Sequence, residues 1–116
     1  MMNFKERRNM VMVVGAKEND VTIQVIPDKL EEYQKLVDGY IQLAPMPELA
    51  AQGIGLLCNE EGLLTNLAPN LNLYPYFFVG TVVFVGLRIE EFTGLTVDQV
   101  EWLEAWLAKL GEEADK

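Results

Sequence analysis

The chain has 116 residues, with 18 acidic against 9 basic side chains, no histidine and a formal charge of −9. Its length and 50% apolar content fit one domain with a real core, not an intrinsically disordered chain. A single cysteine and no histidine exclude a disulfide framework, a Cys- or His-built metal site, Ser–His and Cys–His catalysis and histidine pH switching.

The first ten residues lack periodicity and are expected to form a mobile leader, ahead of a single domain over 11–111 and a polar tail over 112–116. Val11–Val14 reads as a strand. Val21–Ile26 alternates Val21, Ile23 and Val25 with Thr22 and Gln24, the signature of a half-buried strand. The two predict a hairpin with a six-residue loop. Asp28 is expected to cap a helix over Lys29–Asp38, with Glu31 three positions on and Gly39 as its terminator. Tyr40–Leu43 returns as a strand.

Pro45 and Pro47 predict a loop over Ala44–Gln52 with one helical turn at Glu48–Ala51. Ile54–Cys58 and Leu63–Leu67 read as strands joined by a turn at Asn59–Gly62. Ala68–Pro75 is expected to be irregular, and Phe77–Leu87 to be the longest strand, with bulges or close backbone contacts at Gly80 and Gly86. Thr96 and Gln99 make a capping box, and Leu95 with Val100 a hydrophobic staple, at the start of a last helix that Gly111 should end. Its apolar arc holds Val100, Leu103, Trp106, Leu107 and Leu110, with Trp102 at the margin. The pattern predicts an α+β domain: a mainly antiparallel sheet of five or six strands with two helices on one face.

Little catalytic chemistry is left. Cys58 sits in an apolar strand, where burial makes a thiol inert. There is no serine, and no base stands in a motif with any threonine. No phosphate-binding glycine motif or calcium loop occurs, so no catalytic residue, cofactor or metal is assigned. The longest apolar stretch, Tyr74–Leu87, is too short for a spanning helix, and no signal-peptide core is evident. These features place the chain in a cytoplasm, away from the membrane.

The charge is uneven. Residues 1–35 are neutral, whereas residues 36–116 hold twelve acidic and three basic residues. Acidic chains are poor phosphate binders, so direct nucleic-acid binding is not expected, but an acidic surface can steer a basic partner. Glu60, Glu61, Glu90 and Glu91 are the candidate protein-binding residues. Tyr74, Tyr76, Trp102 and Trp106 are candidate interface aromatics, on this chain's own dimer face or another's. Tyr40, Asn66 and Asn70, with Tyr74 and Tyr76, are candidate lining for a ligand pocket.

Five segments together carry a resemblance: Leu36–Val37–Asp38–Gly39–Tyr40–Ile41, Cys58–Asn59–Glu60–Glu61–Gly62, Leu67–Ala68–Pro69–Asn70, Val79–Gly80–Thr81–Val82–Val83 and Glu91–Phe92–Thr93–Gly94–Leu95–Thr96. Their order and spacing resemble a small-domain family of unknown function found widely in phages, plasmids and other mobile elements of bacteria. Relatives often carry an arginine after the position of Asn70, where this chain has Leu71. The resemblance implies no activity, cofactor or catalytic residue. It implies a setting in which small acidic proteins bind host proteins, including restriction and CRISPR machinery. The expectation is a non-enzymatic acidic protein that occupies a basic nucleic-acid-binding surface of a host protein. The alternatives are a small-molecule, nucleotide-like binder, a homodimeric structural module, or a carboxylate and metal hydrolase.

Overall fold

The computed structural model describes residues 7–16, 20–62, 67–73, 76–89 and 91–114. Strands β1 (Arg8–Val14) and β2 (Val21–Pro27) form the expected hairpin, with Val14 opposite Val21 and Arg8 opposite Pro27. Helix α1 (Leu30–Val37) leads to β3 (Ile41–Ala44), the one-turn helix α2 (Pro47–Ala50) and β4 (Ile54–Asn59). Then come β5 (Pro69–Leu73), β6 (Tyr76–Val79), β7 (Val82–Arg88), β8 (Glu91–Thr93) and α3 (Val97–Ala114). The main sheet runs β2–β1–β7–β4–β3 with β8 also on β7, every pair antiparallel, and β5 and β6 make a separate ribbon. The fold is α+β.

Alternation in the central strands builds two cores. Met12, Val14, Leu56, Cys58, Val82 and Phe84 face one way, under Leu103 and the partly buried Trp102, Trp106 and Leu107 of α3. Val11, Val13, Leu57, Val83 and Val85 face the other way, under Tyr33 and Val37 of α1. The helices therefore lie on opposite faces, not on the one face expected. The cause is in β7: its run of buried residues has no polar side, so both faces need cover.

Several expected elements differ. β1 starts at Arg8, three residues before Val11. The segment over Phe77–Leu87 is two strands in two sheets, because Gly80 takes φ +73 and turns the chain between them. Pro69–Leu73, expected to be irregular, is the partner of β6. Residues 63–66 of the expected return strand lie outside the described residues, and β4 pairs with β3 and β7. β8 was not expected.

The caps differ too. Lys29, not Asp28, is the N-cap of α1, and no side chain caps it. Asp28 instead accepts a hydrogen bond from the Tyr33 hydroxyl at 3.2 Å and pairs with Arg7 at 3.5 Å. Asp38, not Gly39, adopts the left-handed conformation that ends α1, at φ 58. Helix α3 runs through Gly111 to Ala114. Its predicted capping box is present: Gln99 N–H donates to Thr96 Oγ1 at 3.1 Å, and Thr96 N–H to Gln99 Oε1 at 2.9 Å.

Candidate functional site

The sheet has two ends, here named for Arg8 and Val14. Strand β2 reaches the Arg8 end at Pro27, α1 returns across one face, and β3 starts again from the Val14 end. β2 and β3 thus run the same way at opposite edges, and α1 crosses the face diagonally between them. At its start, Asn9 Nδ2 of β1 donates to the Tyr33 hydroxyl at 2.7 Å. Just past its end, Asn59 Nδ2 of β4 donates to the carbonyls of Val37 and Asp38, each at 3.0 Å. Eight residues of helix span only about 12 Å, against about 23 Å for a seven-residue strand. Two opposite corners of this face are therefore left uncovered.

The corner at the Arg8 end is an apolar groove of about 450 Å³, lined by Leu43, Leu87 and Phe92 with Arg88 and Glu91 at its rim. Its floor is the bare backbone of Gly55, where a Cβ would lie 2.9 Å from both Leu43 and Leu87. Phe92 packs edge-on against Tyr33, with ring centroids 5.6 Å apart. A polar chain borders the groove: Asn9, Tyr33, Asp28, Arg7 and then Glu91, whose carboxylate lies 3.5 Å from the Arg7 guanidinium. Burial pushes the Tyr33 phenol above its ordinary value. The Asp28 charge adds to this, and the Asn9 hydrogen bond opposes it. Sequence reasoning missed this chain because its members are scattered through the sequence and join only when β1, α1 and β8 meet.

The corner at the Val14 end is a cavity of about 460 Å³, with Asp20, Val37, Asp38, Leu67, Gly80 and Thr81 in its wall. Asn70 lies beside it and donates to the carbonyls of Val14 at 2.9 Å and Gly80 at 2.7 Å. It ties the β5–β6 ribbon to the main sheet, while its buried Oδ1 accepts no hydrogen bond from a described residue. Glu60 and Glu61 follow β4 at this same end, and both are exposed. Glu60 N–H donates to the carbonyl of the exposed Tyr40 at 2.8 Å. Four carboxylates (Asp20, Asp38, Glu60 and Glu61) thus collect at the Val14 end. Its described turns, 15–16, 38–40, 60–62, 67–68 and 80–81, contain no arginine or lysine.

The candidate protein-binding residues are therefore divided. Glu60 and Glu61 sit at the Val14 end, whereas Glu91 is at the Arg8 end, the length of β7 away and paired with Arg7. Glu90, Asn66 and Tyr74 lie outside the described residues. Tyr76 opens β6 opposite Leu73. Trp102 and Trp106 stack on each other at 5.7 Å, and Trp106 meets Phe84 edge-on at 6.2 Å, so both pack against the core under α3. Asp98, Glu101 and Glu104 lie exposed on the same helix.

Cys58 is buried, its thiol 3.7 Å from the Gln42 carbonyl, and burial pushes its pKa up. Among the described residues, no three of His, Cys, Asp and Glu come close enough together to hold a metal ion. Among them too, no helix is long and apolar enough to cross a membrane.

No curated protein and no solved structure matches the chain. Residues 8–108 match a family described as a domain of unknown function, DUF3846, and the match spans both faces of the sheet, both corners and most of α3. The chain therefore belongs to the DUF3846 family.

Proposed function

We propose that this chain is a non-enzymatic binding protein that engages a basic surface of a partner protein through the Val14 end of its sheet. The observation that supports this reading is that Asp20 and Asp38 line one cavity, while Glu60 and Glu61 follow β4 at the same end of the sheet. Carboxylates at one end of the sheet steer a cationic partner, which is drawn in faster at low salt. The setting we propose is a phage or other mobile element in a bacterial cytoplasm. The partner is a host enzyme whose basic nucleic-acid groove the acidic end occupies, as a counter-defence protein would.

The test is capture from host lysate on the immobilised chain, at low and high salt. A captured protein should be released by salt and lost when Asp38→Lys and Glu60→Lys are combined. Capture that ignores the charge reversal, or no capture at low salt, would overturn the reading.

The groove over Gly55 favours a second reading, a small-molecule binder. Its volume and apolar walls with a charged rim suit a ligand site. A ligand at 100 times its dissociation constant would add about 2.7 kcal/mol of stability. Thermal shift against an apolar-anion and nucleotide panel, repeated in Leu87→Ala, tests this.

A further inference from the structure

Strand β2 closes one edge of the main sheet, and among the described residues no strand pairs with its outer side. Long edge strands are usually blunted by a charge, a bulge or an early proline. β2 has none of these: its seven residues are Val-Thr-Ile-Gln-Val-Ile-Pro, uncharged throughout and with proline only at the last position. Its pairing with β1 is regular over its whole length. The register sets Val21, Ile23 and Val25 beside Val14, Met12 and Met10, on the face that α3 covers. Yet they are 48%, 45% and 59% exposed. A row of three β-branched side chains on a bare edge costs solubility unless something covers it.

We infer that this edge is a homodimer interface in which β2 pairs antiparallel with β2 of a second copy about a two-fold axis through Ile23. Three observations select a second copy in that sense. First, the apolar row is self-complementary about Ile23. The axis sets Val21 against Val25, Ile23 against Ile23 and the polar Thr22 against Gln24, so like meets like on both faces. Second, the charges flanking β2 differ at its two ends. Asp20 precedes it, while Arg7, Arg8 and Lys29 lie at its Pro27 end with the single acid Asp28, which pairs with Arg7. Antiparallel pairing brings Asp20 of each copy toward the basic end of the other, whereas parallel pairing would set like charges side by side. Third, Glu60 and Glu61 follow β4, which β1 and β7 separate from this edge. The net charge of −9 is therefore not concentrated where the two copies meet.

A stable interface takes about 800 Å² from each partner, from some 20–30 residues. One seven-residue strand supplies part of that, so the dimer is concentration-dependent. Sedimentation velocity from low micromolar to near-millimolar chain should show a monomer giving way to a dimer. Ile23→Lys, at an exposed position where the fold is retained by circular dichroism, sets two charges on the axis. It should raise the dissociation constant about tenfold or more. Across an antiparallel pair the Cα atoms are about 4.5–5.5 Å apart, within reach of a disulfide. Ile23→Cys should therefore oxidise to a covalent dimer with native circular dichroism, while the exposed control Glu104→Cys on α3 should not. A chain that stays monomeric at every concentration overturns the inference. So does a dimer indifferent to Ile23→Lys, or one cross-linked equally well through either cysteine.

Discussion

A Cβ on Gly39 would lie 2.5 Å from Nδ2 of Asn59. The same amide donates to Val37 and Asp38, while Oδ1 of Asn59 accepts Glu61 N–H at 2.7 Å. One buried side chain thus ends α1, starts the turn after β4 and fixes the spacing of two acidic loops. Asn59→Leu should cost about 3 kcal/mol, at about 1 kcal/mol for each hydrogen bond lost. Gly39→Ala should cost about 1–3 kcal/mol through overpacking. Urea denaturation of both variants and the double mutant checks this, and the double mutant should lose less than the sum, because both changes disrupt one contact.

Gln99 combines a cap with a strap. Its Oε1 accepts Thr96 N–H, and its Nε2 donates to the carbonyls of Gln52 and Gly53, each at 3.0 Å. Glutamate is a good capping-box residue, but it cannot donate. Gln99→Glu should therefore destabilise the chain by about 1–2 kcal/mol despite preserving the cap, whereas Thr96→Ala should cost about 1 kcal/mol. If Gln99→Glu proves neutral in thermal unfolding, the strap carries no weight.

Tyr33 is protonated in the folded chain beyond the pH at which it ionises unfolded, since burial raises its pKa. Its contribution to stability is therefore intact below about pH 10, the unfolded value. Above that pH the unfolded state sheds the proton first, and the contribution is lost as pH climbs toward the folded pKa. Phenolate absorbance should show a late-titrating tyrosine that disappears in Tyr33→Phe. The variant should also lose stability at neutral pH, because Asn9 keeps a buried amide with no acceptor at that position.

Cys58 should be silent toward thiol reagents in the native chain, since a buried thiol with a raised pKa carries little thiolate. Labelling should track unfolding in a denaturant series. Fast labelling without denaturant would show that β3, its covering edge strand, opens locally.

The hairpin over β1 and β2 and the start of α3 were legible because each rests on local chemistry: alternation in Val21–Ile26, and the reciprocal Thr96–Gln99 bonds. Gly80 marked irregularity, but its meaning lay elsewhere. Only the pairing of Pro69 with Val79, and of Val82 with Val14, shows that the chain changes sheets there. Asp28 has the chemistry of an N-cap, yet Arg7 and Tyr33 claim it, and neither is near enough in sequence to announce that. The proposed acidic end was half legible. Glu60 and Glu61 stood out as a pair, but Asp20 and Asp38 join them through sheet topology alone, and the same topology removes Glu91 to the other end.

The position of β7 governs how the chain can reach this structure. β7 lies between β1 and β4, so Val14 waits for Val82 and Leu57 for Val83. The hairpin of β1 and β2 has all its residues early, but its inner edge stays open until β7 is made. Closing such distant pairs is entropically slow. During synthesis the outermost strands precede the one that joins them, and until it arrives Val11 and Val13 lack Val83 and Val85, and Met12 lacks Phe84 and Leu103. In that interval aggregation competes with folding, and substitutions that slow the insertion of β7 should lower the yield of folded chain more than they lower equilibrium stability.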